Sequence, residues 1–235
     1  AWIINRESWF NASWVNMLKV KASYGSQGND KIGDYRYVDT YRLASSNGEM
    51  SVAFLEKGNP NITWETNTNF NAGIEFGVLQ NRISGSIEYF NRKTTDMLMA
   101  FPTAPSLGYS SYYANVGDMS NKGIEVDLNF TPIRSKNVQW DINVNLTHLK
   151  NKIISLPPER RTKEVEGYYG YAGSSFFYGQ GLPLYTFYMK KYAGVSEDGR
   201  SMWYKDVTDK DGKPTGERTT TTAYSEGSDY LCGNA

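Results

Sequence analysis

The clearest regularity in the chain is an alternation of apolar and polar residues between Asn121 and Lys150. Ile124, Val126, Leu128 and Phe130 are apolar, while Glu125, Asp127 and Asn129 between them are polar. A second arm repeats the rule, with Val138, Trp140, Ile142, Val144 and Leu146 set against Gln139, Asp141, Asn143, Asn145 and Thr147. A repeat of two marks a strand with one greasy face and one wet face. A helix is excluded, because three residues beyond Ile124 stands Asp127 and three beyond Trp140 stands Asn143. The polar link Thr131 to Asn137, with Pro132 ending the first arm, predicts an antiparallel hairpin. Each arm has the ~10 residues that a tilted strand needs to cross an outer membrane.

The same pattern recurs upstream. Leu18, Val20, Ala22 and Tyr24 alternate with Lys19, Lys21 and Ser23, predicting a strand from Met17 to Tyr24. A longer one runs from Thr63 to Val78, where Trp64, Thr66, Thr68, Phe70, Ala72, Ile74 and Phe76 oppose Glu65, Asn67, Asn69, Asn71, Gly73 and Glu75. Leu79-Gln80-Asn81 turns it back into Arg82 to Leu98, with Ile83, Gly85, Ile87 and Tyr89 opposite Ser84, Ser86 and Glu88. Tyr35 to Leu43 and Ser51 to Leu55 read as a local pair inside a long excursion that ends near Ile62. Two more excursions run from Ala100 to Met119 and from Asn151 to about Pro183, and weaker strands at Leu184 to Ala193 and Arg200 to Asp206 flank Glu197-Asp198-Gly199.

Links therefore alternate in length: long after Tyr24, short at 79–81, long after Leu98, short at 131–137, long after Lys150 and short at 194–199. In an up-and-down sheet this sorts every short turn to one rim and every long loop to the other, the arrangement of an outer-membrane barrel. The expectation is an all-β, antiparallel up-and-down barrel, present as an incomplete, open part of the wall with long external loops. No linker-like tract divides residues 1–235, which read as part of one barrel domain.

Composition narrows the picture without redirecting it. Lys and Arg together number 25 and so do Asp and Glu, so no basic excess favours nucleic acid. No run of eighteen apolar residues offers a membrane helix, which leaves alternating strands untouched. Cys232 is the single cysteine and forms no internal disulfide. Ala1-Trp2-Ile3 is neither a signal peptide nor an initiator Met, and Tyr230-Leu231-Cys232 reads as a strand cut short, so the expectation is a fragment of a longer protein.

Four ordered blocks, KVKASYGSQGND, GNPNITWETNTNFNAGIEFGVLQNRISGSIEYFNRKTTDML, NVGDMSNKGIEVDLNF and YAGVSEDGRSMWYKD, resemble the C-terminal barrel region of the SusC/RagA family. These are TonB-dependent outer-membrane transporters of Bacteroidetes, and the resemblance spans residues 17 to 206. It implies a barrel of about twenty-two strands around an N-terminal plug. It also implies TonB as energy source, outer-membrane lipid as surroundings, a SusD-like surface lipoprotein as lid, an oligosaccharide or peptide as cargo, and no cofactor. No TonB box, plug or barrel-closing strand is visible in these residues.

Ile124, Val126, Leu128, Phe130, Trp140, Ile142 and Val144 are then expected to face lipid, and Glu125, Asp127, Asp141, Asn143 and Asn145 to line the lumen. Two groups of loop tyrosines, Tyr109, Tyr112 and Tyr113, and Tyr168, Tyr169 and Tyr171 with Phe176, Phe177 and Tyr178 nearby, suit either a headgroup girdle or a platform for sugar rings. Catalysis finds little to build on. Glu65, Glu75, Glu88, Glu125 and Asp127 all fall on polar strand faces, where solvation explains them. His148, the only histidine, sits at a strand end as a rim or lumen residue, with no second His or nearby Cys to share a metal. Asp209-Lys210-Asp211-Gly212 resembles the opening of a calcium loop, yet Thr220 stands where the bidentate Glu belongs, so a turn is expected, with Lys210 to Pro214 at a loop tip. The rival reading is a soluble β-sandwich that binds carbohydrate and buries the same apolar rows in a core.

Overall fold

The computed structural model describes residues 1–46, 48–211 and 214–234. They divide into two compact units, Ala1–Asn151 and Lys152–Ala235.

The first unit is built from β1 (Trp2–Ile3), β2 (Val15–Asn29), β3 (Thr40–Ser46), β4 (Glu49–Glu56), β5 (Glu65–Val78), β6 (Ile83–Thr95), β7 (Leu98–Pro102), β8 (Ser111–Asn115), β9 (Asp118–Arg134) and β10 (Gln139–Ser155), the last of which runs into the second unit. Its centre is a six-stranded sheet in the order β1-β2-β5-β6-β9-β10. Every pairing given by register is antiparallel, from β1 with β2 through to β6 with β9. β3 pairs with β4 and β7 with β8 as separate hairpins inside the two long links.

Alternation is what holds these strands in one register, since a slip of a single residue would turn every Ile of the apolar rows to the wet face. The strands outrun the periodic stretches that announce them. β2 continues from Tyr24 through Gly25-Ser26-Gln27-Gly28-Asn29, each residue matched on β5 as far as Glu65. β9 does not stop at Pro132 but reaches Arg134. The Thr131 N–H donates to the Arg82 carbonyl at 2.7 Å, so the β6 side of the ladder is complete there, and proline removes one donor near the rim.

The short turns are tight. Leu79, Gln80 and Asn81 all have φ between 53° and 59°, a left-handed run of three non-glycine residues. Bonds from outside the hairpin hold them: the Leu79 N–H donates to the Trp14 carbonyl at 2.8 Å and the Asn81 N–H to Asn16 Oδ1 at 3.1 Å. Ser135 closes the other turn by donating its N–H to the Val138 carbonyl at 2.8 Å.

The second unit contains β11 (Lys163–Val165), β12 (Tyr168–Ala172), β13 (Phe176–Gly179), β14 (Thr186–Lys190), β15 (Tyr192–Val195), β16 (Ser201–Thr208), β17 (Pro214–Thr221) and β18 (Asp229–Asn234). They form a five-stranded sheet, β11-β12-β13-β14-β18, and a three-stranded one, β15-β16-β17. This corrects one expectation: the turn at 194–199 does join two strands, but β15 and β16 belong to a small sheet of their own and not to the six-stranded wall. Phe177, fully buried, and Ile153, at 2 % exposure, are the best-shielded large side chains. Phe176 stacks on Phe187 at 5.1 Å, and Phe177 lies 5.7 Å from Tyr188.

Candidate functional site

Register turns the alternation of single strands into rows that cross the wall. Trp2, Val20, Ile74, Ile87 and Val126 stand side by side on one face. Above and below run Ala22, Ala72, Tyr89 and Ile124, and Leu18, Phe76, Gly85 and Leu128; Val78, Ile83 and Phe130 border the belt at the short-turn side, Tyr24 and Phe70 at the long-link side. From the Val78 row to the Phe70 row is eight residue steps, ~27 Å along the strand at ~3.4 Å each. A tilt of about 40° leaves ~21 Å of depth, close to the ~25 Å apolar band of outer-membrane barrels.

These side chains are not sealed by a second layer. Ile74 is 44 % exposed, Ile87 45 % and Ile124 46 %, where a sandwich would have interdigitated them. β10 continues the belt: Thr131 Oγ1 donates to Asp141 at 2.7 Å and Asn151 Nδ2 to Asn121 at 2.6 Å, bonds that set Val144 beside Leu128 and Leu146 beside Val126. Trp140, Ile142, Val144 and Leu146 share this face, and so does His148, a departure from the expected lumen or rim position.

At the depth of the Ile124, Val126 and Leu128 rows, Lys, Arg, Asp and Glu are confined to the other face. Lys19, Glu75, Ser86 and Asp127 form one row and Lys21, Gly73, Glu88 and Glu125 the next. Lys19 reaches Glu75 at 3.0 Å, and Lys21 bridges Glu75 at 3.1 Å and Glu88 at 2.7 Å. Asp141 accepts from Thr131 and Gln139, while Asn143 and Asn145 are exposed beside it. Phe90, also on this face, is only 6 % exposed and lies over Gly123 with the Arg92 guanidinium 5.4 Å from its ring.

The two hairpins inserted in the long links meet through aromatic rings. Tyr41 packs on Phe54 at 5.6 Å, Phe54 on Tyr109 at 6.0 Å, and Tyr109 edge-on to Tyr112 at 6.4 Å. Tyr112 and Tyr113 lie on β8 and not in a loop, and Tyr113 carries the Arg36 guanidinium 4.9 Å above its ring. Together with Lys57, Glu56 and Ser110 they line a cavity of about 360 Å³. Its cations are already paired, Arg36 with Glu56 and Lys57 with Asp39. The hydrogen bond from Lys57, then that from the Gly58 N–H, holds the Asp39 carboxyl below the usual carboxylate range. Arg36 and Lys57 were invisible to the periodicity argument because they lie in an irregular stretch.

In the second unit, Tyr168, Tyr169 and Tyr171 occupy β12. Tyr171 is committed to structure: it stacks on Tyr178 at 4.9 Å, with Arg160 at 4.5 Å from its ring, and burial raises its phenol. Tyr169 is 52 % exposed beside a cavity of about 370 Å³ lined also by Lys152, Gln180 and Gly181, and its hydrogen bond with Glu164 raises its phenol. A second cavity of about 440 Å³ holds Lys163, Tyr188, Asp206, Arg218 and Tyr230. Burial, reinforced by a 2.5 Å bond donated to Asp206, pushes Tyr230 up to about 12.

Among the described residues no three His, Cys, Asp or Glu side chains converge to hold a metal ion. Asp209 accepts from the Asp211 N–H at 2.9 Å, a local turn; Gly212 and Lys213, the rest of the calcium-like stretch, lie outside the described residues.

An exposed, single-layer antiparallel sheet with an apolar belt of membrane depth and the charge of its central rows on the reverse is the wall of an outer-membrane β-barrel. The family described as TonB dependent receptor-like, beta-barrel matches residues 10–224, and the chain belongs to it. It is 30 % identical over 192 residues to TonB-dependent receptor P26 of Formosa agariphila, covering 79 % of this chain and 19 % of that protein. It is 28 % identical over 223 residues to TonB-dependent receptor SusC of Bacteroides thetaiotaomicron, covering 91 % and 21 %. In fold it matches the RagAB peptide transporter with a TM-score of 0.80 at 28 % identity, over 98 % of this chain and 25 % of that one. The chain thus spans about a fifth of the length of the curated relatives it matches.

Proposed function

We propose that these residues form wall and external loops of a TonB-dependent importer of large nutrients, an oligosaccharide or a peptide, in the bacterial outer membrane. Residues 1–235 belong to one barrel domain in this reading. The six-stranded sheet crosses the bilayer, with Val126 and its row toward lipid and Asp127 and its row toward a hydrated path. Energy reaches the cargo through TonB acting on a plug, and a SusD-like lipoprotein covers the external side. The observation that carries the reading is the segregation of charge: at belt depth Lys19, Lys21, Glu75, Glu88, Glu125 and Asp127 all share one face. Similarity to SusC and to the RagAB transporter supports the import role and the lidded partner.

Val126→Arg in the full-length protein is expected to cost about 2–4 kcal/mol of stability, because hydrocarbon does not solvate a guanidinium. Asp127→Arg, one residue along, is expected to change little. Urea unfolding of both variants from lipid vesicles checks the pair, and equal penalties would overturn the assignment of faces. Cargo is read separately: cells relying on the full-length protein are supplied with a defined oligosaccharide mixture or a defined peptide mixture. Growth on neither would refute nutrient import.

A further inference from the structure

The outward face changes character abruptly at the long-link side of the belt. Lys93 on β6, Lys122 on β9 and Lys150 on β10 all stand there, and all three are exposed. Lys122 is opposite Asn91, one side-chain step from Lys93, while the bond between Asn121 and Asn151 sets Lys150 directly beside Lys122. Among the described residues none of the three forms an ion pair, although Lys19, Lys21, Lys57, Lys190 and Lys205 do. Asp118 is the carboxylate that β9 carries on this face beyond Ser120, and its Oδ1 accepts from the Asp96 N–H at 3.1 Å. Like charges facing each other across a ladder repel. The cluster is therefore arranged for an anion that the chain does not itself supply.

Depth says where that anion lies. Lys122 is four residues from Val126 in the central row and Lys93 six residues from Ile87. At ~3.4 Å per residue and a tilt of about 40°, their backbones are ~10 Å and ~16 Å from the middle of the belt. Those values bracket the edge of the apolar band, and a lysine on its long stem extends further toward the polar side. Long links mark the external rim of such barrels, so the lysines meet headgroups of the outer leaflet.

We infer that Lys93, Lys122 and Lys150 form a binding site for the phosphate of an outer-leaflet glycolipid, which docks its acyl chains along the Tyr89 and Ile124 rows. The site rests on the outward assignment of the apolar face proposed above. Neighbouring groups suit the occupant: Tyr24 and Tyr89 offer amphipathic rings at the boundary, and Ser120, Thr68 and Asn91 offer uncharged hydrogen-bonding groups around the cations.

The test uses full-length protein in detergent, incubated with a phosphorylated outer-leaflet glycolipid, its enzymatically dephosphorylated form, or phosphatidylglycerol, and analysed by native mass spectrometry. The wild-type protein is expected to retain the phosphorylated glycolipid at least about tenfold better than the dephosphorylated form. The K93Q/K122Q/K150Q variant should lose that preference, while Lys136→Gln, at the opposite rim, should keep it. Folding of each variant is verified by its resistance to unfolding by detergent before heating. Equal retention by the folded triple variant, indifference to dephosphorylation, or phosphatidylglycerol bound as tightly would each overturn the inference. If retention fails while Val126→Arg still destabilises far more than Asp127→Arg, the glycolipid site alone falls; if that contrast also fails, so does the outward assignment beneath it.

Discussion

Asp39 shows how one side chain fixes the geometry of an otherwise irregular link. Its Oδ1 accepts from Lys57 Nζ at 2.9 Å and from the Gly58 N–H at 2.9 Å, tying the start of β3 to the end of β4. Gly58 has no alternative, since a Cβ there would come within 2.2 Å of the Val38 carbonyl carbon. The Asp39 carboxyl titrates below its ordinary value, foremost because of Lys57. A depressed carboxylate stabilises the fold above its unfolded pKa of ~3.9, and that contribution disappears as pH falls through the lower folded value. The protection of the Gly58 amide against exchange, corrected for the intrinsic pH dependence of amide exchange, is accordingly expected to fall once the solution is taken below about pH 4, and Asp39→Asn should remove that loss. None of this was legible beforehand, because Asp39 and Lys57 are eighteen residues apart in a segment without period. The tyrosines were half legible. Residue type singled out six of them, but whether a ring is spent on packing, as Tyr171 is on Tyr178, or left open, as Tyr169 is, depends on neighbours from other strands.

Strands long enough to repeat their pattern several times were readable, and short ones were not. β5, β6, β9 and β10 each have at least thirteen residues, so a period of two is sampled many times. β14 and β15 have five and four, too few to separate a wall strand from a strand of a small local sheet, and the turn at 194–199 was accordingly assigned to the wrong sheet. Glycines within strands were likewise silent until their neighbours were known. At Gly123 a Cβ would meet the His148 carbonyl oxygen at 2.2 Å and the Phe90 ring at 2.8 Å, so β9 approaches β10 as closely as a bare backbone permits. Phe90 fills the space that a side chain at Gly123 would have taken, the way an aromatic ring shields a glycine across a sheet. Gly123→Val is expected to destabilise the barrel by about 1–3 kcal/mol through overpacking, measured by urea unfolding from lipid vesicles. Phe90→Ala combined with it should recover part of the loss, and a fully additive double variant would refute the packing argument.

Taken whole, the chain uses two kinds of construction. Residues up to Asn151 centre on a sheet whose strands are up to seventeen residues long and expose both faces; Lys152 onward packs short strands around Phe177 and Ile153. The first kind is legible at a glance because membrane depth imposes one length and one period on every strand. The second obeys no such rule, and its aromatic core had to be seen.

The six-stranded sheet stops at β10, a strand of seventeen residues whose outer flank is met at Ile153 by Gly181 and Leu182 and lies outside the sheet's own ladders. In water such a flank is sticky toward any extended peptide, its own copies included. Overproduced alone, this stretch is therefore expected to stack into insoluble ribbons. Solubility would require a neighbouring staves-like strand to be delivered before chance collisions supply one, which makes timing of insertion, rather than strength of pairing, the property on which a productive yield depends.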